Sequence, residues 1–189
     1  KYHRSKSKAE AVYELASSGI PTVSSGTPST KMLVQEAISV LRTVDSSLRL
    51  ILTRMQVLAK SLPEYSTVRE MGGVGDVLAV KLIAEIGDVR KLHSAKALIA
   101  WAGIDPPPYE SGKFVGSKRK ITKRGSSTLR KVGYEVMRVL KSHPAPKDGA
   151  VYNYILKKEN EGKSKRHAKI AGLNKFLRIY YARVIEVYQ

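Results

Sequence analysis

The sequence predicts a mainly α-helical protein in which a long, coiled-coil-like helix precedes a helical domain. Apolar residues recur at spacings of three and four along most of the chain, which is typical of amphipathic helices. The chain has 189 residues, of which 42% are hydrophobic, and this is enough for a core in one domain with a helical extension. We therefore divide the chain into a basic segment and linker (1–30), a long helix (31–63) and a helical domain (64–189).

The long helix is predicted over 31–62, where the apolar positions run without a break from Val34 to Leu62. Ser29 or Thr30 can cap its start, and Pro63 ends it. A helix of this length extends roughly 45–50 Å, which exceeds what a small domain needs to cover its core. Pairing with a second chain or domain, as in a coiled coil, and packing across its own domain are both open.

A helical hairpin is predicted next, over 68–88, with its turn at Gly73, Val74 and Gly75. Glycine allows positive φ and a close approach of ligand to backbone, and the amides that begin the second helix favour an anion. The pattern resembles the helix-hairpin-helix element, which implies that Gly73 and Gly75 contact a DNA phosphate. A tight helical corner without a ligand is the alternative.

The next helix is predicted over 94–103, with Ser94 as its cap and with Leu98, Ile99 and Trp101 in the core. A proline-rich connection follows. We expect Phe114-Val115 to pair with 120–122 in a small β-hairpin, or else to form a loop insert. The remaining helices are predicted over 125–140, 149–160 and 165–188.

Positive charge is concentrated in the second part of the chain. Residues 111–189 contain 20 Lys and Arg against 5 Asp and Glu, within a total net charge of +18. This imbalance favours nucleic acid as a partner first and an anionic membrane surface second. The sequence has no segment long and apolar enough to span a bilayer and no secretory signal, and zero cysteines exclude disulfides and Cys-ligated zinc. A cytoplasmic, nucleoid-associated protein is expected.

The stretch from Tyr109 to Lys131 carries the densest group of cations. An extended polyanion such as a nucleic-acid backbone would relieve their mutual repulsion. Ser111 lies before Gly112 in this stretch, so its hydroxyl is either a turn residue or a nucleophile facing phosphodiesters. The candidate nucleic-acid contacts are Lys113, Lys118, Arg119, Lys120, Lys123, Arg124 and Arg130.

Four blocks follow one another with characteristic spacings: GGVGDVLAVKLIAEIGD, LIAWAGIDP, YESGK and ITKRGSSTLRK. The series resembles the C-terminal transposase domain of the insertion-sequence family one-ten, which includes Piv-type DNA invertases and bridge-RNA-guided recombinases. The resemblance covers about residues 68–188. Four linked blocks in order are more specific than any one of them.

The resemblance implies a two-part enzyme. A RuvC-like domain with an acidic Asp-Glu-Asp-Asp set would hold Mg²⁺, and a coiled coil would join it to a domain that supplies a serine nucleophile. That serine maps onto Ser111, in the Ser-Gly step after Gly103-Ile104-Asp105-Pro106. No RuvC-like half or metal site is expected in this chain, so we interpret it as a C-terminal fragment that is inactive alone.

Other interpretations stay open at this stage. Ser126, Ser127 and Tyr109 are rival nucleophiles, although capping of a helix explains the two serines. A binding-only module would use the hairpin and the cations without covalent chemistry. A ribosomal or RNA-chaperone protein would explain the charge but not the ordered blocks. The expected partners are DNA, a guide RNA in the guided branch of the family, and a second copy bound through the 31–62 helix.

Overall fold

A computed structural model describes residues 3–19, 26–106, 110–111, 114–115, 120–144 and 149–189. These residues are mainly helical, which confirms the predicted fold class. The chain divides into two compact units, Lys1–Ile51 and Leu52–Gln189. In the part of the chain that the structure describes, no helix combines the length and the apolar character needed to cross a membrane.

The first unit contains helix α1 (His3–Ser18) and most of helix α2 (Pro28–Lys60). Helix α2 begins at Pro28 and not at Lys31, so the predicted caps Ser29 and Thr30 lie inside it. Thr27 has the capping role, because its side-chain oxygen accepts a hydrogen bond from the Thr30 amide at 3.4 Å. Proline is favoured at the first helical position, where its missing N–H has no partner to lose.

The predicted helical hairpin consists of helix α3 (Tyr65–Arg69) and helix α4 (Asp76–Ile86). Gly73 has a φ of +81° in the turn, and Gly75 is the residue before α4. A Cβ atom on Gly73 would lie 2.8 Å from both the Val136 carbonyl oxygen and the Leu140 Cβ. The turn therefore needs glycine for its conformation and for its packing.

A short 3₁₀ helix (Val89–Lys91) leads to helix α5 (Ala95–Trp101), whose cap Ser94 accepts from the Ala97 amide at 3.2 Å. Leu98 and Ile99 are buried as predicted, but the prediction for Trp101 is wrong because this residue is 48% exposed. The core is occupied here by Leu98, Ile99 and Ala102. The larger Trp101 ring lies at the edge of the core.

Two short strands, β1 (Glu110–Ser111) and β2 (Phe114–Val115), pair antiparallel, with Ser111 opposite Phe114. The predicted pairing of β2 with 120–122 is therefore wrong. Only two residues separate β1 from β2, and such short connections favour hairpins. Residues 120–122 instead contact the end of the α5 segment, as described below.

The second unit is completed by helices α6 (Ser127–Ser142), α7 (Gly149–Asn160) and α8 (Lys165–Val187), close to the predicted ranges. Helix α8 packs against α5, α6 and α7. Its contact with α7 is so close that a Cβ on Gly172 would lie 2.4 Å from Ile155 Cγ1. The core lies between these helices and α4, and it includes Phe176 and Tyr180 of α8.

Candidate nucleic-acid interface

The two ends of the segment that carries Ser111 are held together by hydrogen bonds. The Thr122 amide donates to the Asp105 carbonyl at 3.0 Å, and the Thr122 hydroxyl donates to the Asp105 carboxylate at 2.7 Å. The Lys123 amide donates to the Gly103 carbonyl at 2.9 Å. We call these three bonds the loop clamp, because they fix where the chain leaves and re-enters the helical unit.

Gly125 and Ser126 join the start of α6 to the end of α5. A Cβ on Gly125 would lie 2.0 Å from the Trp101 carbonyl oxygen, so no larger residue fits there without movement of the backbone. The Ser126 amide donates to that same oxygen at 2.6 Å. The Ser126 hydroxyl accepts from the Leu129 amide at 2.9 Å and donates to the Glu85 carboxylate of α4. The sequence blocks at 72–88, 98–106 and 121–131 therefore meet at one place.

Arg130 and Lys123 lie beside the loop clamp. Arg130 donates to the Ala102 carbonyl at 2.9 Å, so this predicted DNA contact also stabilises the end of α5 inside the protein. Lys123 has a φ of +57°, and it is the non-glycine residue with a positive φ among the described residues. This conformation costs free energy for a residue with a Cβ, and it directs an exposed lysine into the groove described next.

A groove lies next to the loop clamp and consists of two adjoining hollows with volumes of about 940 and 770 Å³. Both hollows are lined by Lys120, Ile121, His167 and Ile170. We call the whole depression the basic groove. Its described lining residues include no Asp or Glu, and its cations are Lys120, Lys123, Arg130, Lys131, Lys163, Arg166, Lys175 and Arg178.

The floor of the basic groove is less polar than its rim. The buried Ile104 and the half-buried Ile121 and Ile170 lie at its base. Two half-buried tyrosines also line it: Tyr154, with the Lys175 ammonium 5.0 Å from its ring centre, and Tyr134. A concave surface with cations around an apolar and aromatic base suits a ligand that is both anionic and partly apolar.

The predicted contact residues are distributed unevenly around this groove. Lys120, Lys123 and Arg130 line it, and Arg124 is exposed close by in the chain. Ser111 lies on β1, with its side chain outside the described part of the structure. The predicted contacts Lys113, Lys118 and Arg119, and the rival nucleophile Tyr109, lie outside the described residues altogether.

The hairpin turn has a different environment from the basic groove. A Cβ on Gly75 would meet open space, so the backbone there is accessible. However, Asp76 lies in the first turn of α4 and accepts from Arg69 at 2.5 Å and from Tyr65 at 3.2 Å. The hydrogen bond from Arg69 lowers the pKa of Asp76. A fixed carboxylate at this helix start weakens the attraction of the turn for a phosphate.

Residues 65–153 match the model of the Transposase IS116/IS110/IS902 family. The match includes the hairpin, the loop clamp and the first turn of α7, so the family resemblance seen in the four sequence blocks is confirmed.

Curated relatives that this chain resembles include the pilin gene-inverting protein of Moraxella bovis, which is 28% identical over 117 residues. That alignment covers 62% of this chain and 35% of the relative. The transposase for insertion sequence element IS1111A of Coxiella burnetii is 29% identical over 92 residues, which cover 47% of this chain and 24% of that protein. The chain thus spans about a third or less of the length of these relatives.

The sequence analysis did not single out the cations that α8 and the residues just before it contribute to the basic groove. Lys163, His167, Ile170, Asn174 and Arg178 line the groove. His167, Ile170, Asn174 and Arg178 follow one another at spacings of three and four, so they share one face of α8, and Lys163 lies just before the helix. The spacing of basic and polar residues along 163–178 could therefore have indicated a binding face. That this face lies beside residues 120–123 depends on the fold and has no signal in the sequence.

The described residues contain no group of three or more His, Cys, Asp or Glu side chains that could hold a metal ion. Asp105 and Glu85 are instead engaged with Thr122 and Ser126 respectively. The described residues therefore do not fit a magnesium site, and we derive no chemical step through a metal in this chain.

Proposed function

We propose that this chain is the C-terminal, serine-bearing part of a DNA transposase or site-specific recombinase. The observation that carries the proposal is the position of the Ser111 segment. Pro106 and Lys120, which flank this segment in the chain, both line the basic groove. A DNA strand lying in the groove would therefore pass next to the segment that carries the serine. The family match of residues 65–153 supports the same assignment.

In the proposed reaction, Ser111 Oγ attacks the phosphorus of a DNA phosphodiester. The Oγ–P bond forms, the bond from phosphorus to one deoxyribose oxygen breaks, and the serine proton passes through solvent to that leaving oxygen. A DNA hydroxyl then attacks the phosphoserine phosphorus: the new deoxyribose O–P bond forms, the Ser111 Oγ–P bond breaks, and the proton of that hydroxyl passes through solvent to Ser111 Oγ. The groove cations position the strand and offset the charge that develops on the phosphoryl oxygens.

The resemblance implies that the complete enzyme also has a metal-binding domain. A free hydroxyl is a weak nucleophile, and the resemblance implies that activation comes from Mg²⁺ held by a RuvC-like domain. We therefore propose that the chain alone is inactive, that the full-length protein operates at the nucleoid in the cytoplasm, and that copies associate through α2. A guide RNA would be an additional partner if the protein belongs to the guided branch.

A binding-only module is the second candidate. The basic groove and the accessible backbone at Gly75 need no nucleophile to hold DNA. In this alternative, Ser111 is a turn residue, and removal of its hydroxyl has no consequence for DNA chemistry.

The two candidates are separated by trapping a covalent adduct. The full-length protein is incubated with Mg²⁺ and suicide DNA substrates, and the phosphopeptide is identified by mass spectrometry. We expect the adduct on Ser111, and we expect Ser111→Ala to abolish it with less than a twofold change in DNA affinity, because the charge of the groove is intact. Ser111→Cys serves as a second variant that keeps a nucleophile at the position.

An adduct on Tyr109, Ser126 or Ser127 would overturn the assignment of Ser111. The absence of any protein-linked DNA, with strand binding intact, would favour the binding-only module.

A further inference from the structure

We propose that the basic groove binds an unpaired DNA strand, with bases against its floor and phosphates against its rim. The choice of DNA depends on the proposed function, whereas the choice of an unpaired strand comes from the shape and chemistry of the groove. The predicted contacts at 113–124 do not include this surface on α8.

Charge is the first argument for a phosphodiester ligand. Eight Lys and Arg side chains line the groove, and its described lining contains no acid to neutralise them. Lys163, Arg166 and Arg178 are exposed, so a bound phosphate can reach them without a rearrangement of the core. A polyanion that follows the groove would replace its counterions and bind in a salt-dependent way.

The floor is the second argument, because it distinguishes an unpaired strand from a duplex. Duplex DNA presents phosphates on its outside and keeps its bases stacked, so it has little to place in an apolar depression. An unpaired strand exposes the faces of its bases, which stack on aromatic and apolar side chains. Ile121 and Ile170 offer apolar surface between the cations. The Tyr134 ring has the Lys169 ammonium 5.8 Å from its centre, and the Tyr154 ring has those of Lys158 and Lys175 at 5.3 and 5.0 Å, so a base would stack on these rings as the lysines turn towards phosphates.

The continuity of the groove is the third argument. Its two hollows share Lys120, Ile121, His167 and Ile170, so together they form one path with room for several nucleotides. The path begins beside Ile104 and Pro106, where the loop clamp is, and continues along α8 to Arg178. Such a path is suited to an extended strand, whereas a single phosphate or a mononucleotide would use only part of it.

The test measures binding of three labelled probes to the 189-residue chain by fluorescence anisotropy at several salt concentrations. The probes are a thymidine oligonucleotide, a strand of equal length and charge without bases, and a blunt duplex. We expect the thymidine strand to bind at least tenfold more tightly than the abasic strand, because only the former can contact the floor. We also expect it to bind more tightly than the duplex.

A matched pair of triple variants locates the binding surface. Lys163→Ala, Arg166→Ala and Arg178→Ala together should weaken binding of the thymidine strand at least tenfold. They should also reduce the magnitude of its salt slope by about 2, since each phosphate contact on a single strand contributes about 0.7. Lys91→Ala, Lys96→Ala and Arg138→Ala remove the same charge from exposed positions that do not line the groove, and should change affinity less than threefold.

Each remaining outcome contradicts the inference. Equal binding of the thymidine and abasic strands would exclude base contacts, and tighter binding of the duplex would exclude an unpaired strand as the preferred ligand. If the two triple variants bind alike while the chain still binds DNA, the assignment of the binding surface to the basic groove is wrong. The proposed function is unaffected by that result. If the chain binds none of the probes, the proposed function loses its support as well. Tighter binding of a uridine RNA strand than of the thymidine strand would reassign the groove to RNA.

Discussion

At the scale of single residues, Ser126 illustrates how a rival nucleophile is accounted for by structure. Its hydroxyl already accepts from the Leu129 amide and donates to Glu85, so both hydrogen-bonding roles are filled. The sequence predicted the capping role, because serine before a helical pattern is a common start signal. The bond to Glu85, 41 residues away in the chain, depends on the fold and could not be predicted.

We expect Ser126→Ala to lower the free energy of unfolding by about 1–2 kcal/mol, because the cap of α6 is removed. Urea denaturation followed by circular dichroism would measure the change. Ser127→Ala is the matched control, since Ser127 is exposed and follows the cap. Equal stabilities of the two variants would contradict the assigned role of Ser126.

A buried carboxylate gives a second prediction at this scale. Glu64 is 4% exposed and accepts a hydrogen bond from the Tyr188 hydroxyl at 2.5 Å, with the Arg90 guanidinium 4.3 Å from the Tyr188 ring centre. We expect Tyr188→Phe to destabilise the protein by about 1–3 kcal/mol at neutral pH, because the carboxylate loses its donor. Tyr13→Phe, at an exposed position, is the control and should have no effect on stability.

The same hydrogen bond predicts an alkaline transition. It raises the pKa of Tyr188 to about 12 from the ordinary tyrosine value of 10.0. The folded state therefore favours the protonated phenol, so its stabilising contribution is full below pH 10 and disappears as the pH rises from 10 towards 12. The difference in stability between wild type and Tyr188→Phe should shrink across this window. A constant difference, measured by urea denaturation at each pH, would contradict the assignment.

At the scale of elements, local sequence patterns predicted the helices correctly. Contacts between residues distant in sequence were not predicted. Helix α7 has the predicted bounds, because its apolar spacing and its flanking glycine and turn residues are local signals. The exposure of Trp101 was predicted wrongly, because it depends on packing between segments. The partner of β2 was also predicted wrongly, although the two-residue connection from β1 is a local feature. The loop clamp at Asp105 and Thr122 connects residues 17 apart and has no local signature.

Helix α2 carries the prediction about assembly. Its apolar stripe is exposed at Leu41 (68%) and Leu48 (60%), and exposed stripes of this kind favour association. We expect the chain to form concentration-dependent oligomers and expect Leu41→Glu with Leu48→Glu to make it monomeric. Ser39→Glu with Ser46→Glu adds the same charge to exposed polar positions of the helix and should leave the assembly unchanged.

Sedimentation velocity over a range of protein concentrations would measure this association. A wild-type chain that stays monomeric at the highest concentration would contradict the role assigned to α2 in self-association.

At the scale of the whole molecule, the fold determines where the excess of positive charge acts. The sequence shows that residues 111–189 hold 20 of the 34 Lys and Arg. It does not show that cations near Lys120 and cations of α8 line one groove, because some forty residues and two helices separate them in the chain. The Ser111 assignment also depends on the resemblance, since neither its environment nor a base partner could be derived from its neighbours in sequence.

The cations at 118–124 give the last prediction. If they extend the binding surface of the groove, replacing Lys118, Arg119, Lys123 and Arg124 with Ala should reduce the magnitude of the salt slope by about one unit for each phosphate that is no longer bound. Binding should weaken for all DNA sequences alike, because interactions with phosphates carry no sequence information. Measurements with two duplexes and two single strands of unrelated sequence would establish this tolerance. An unchanged slope, with the folded state intact by circular dichroism, would place the DNA away from these four cations.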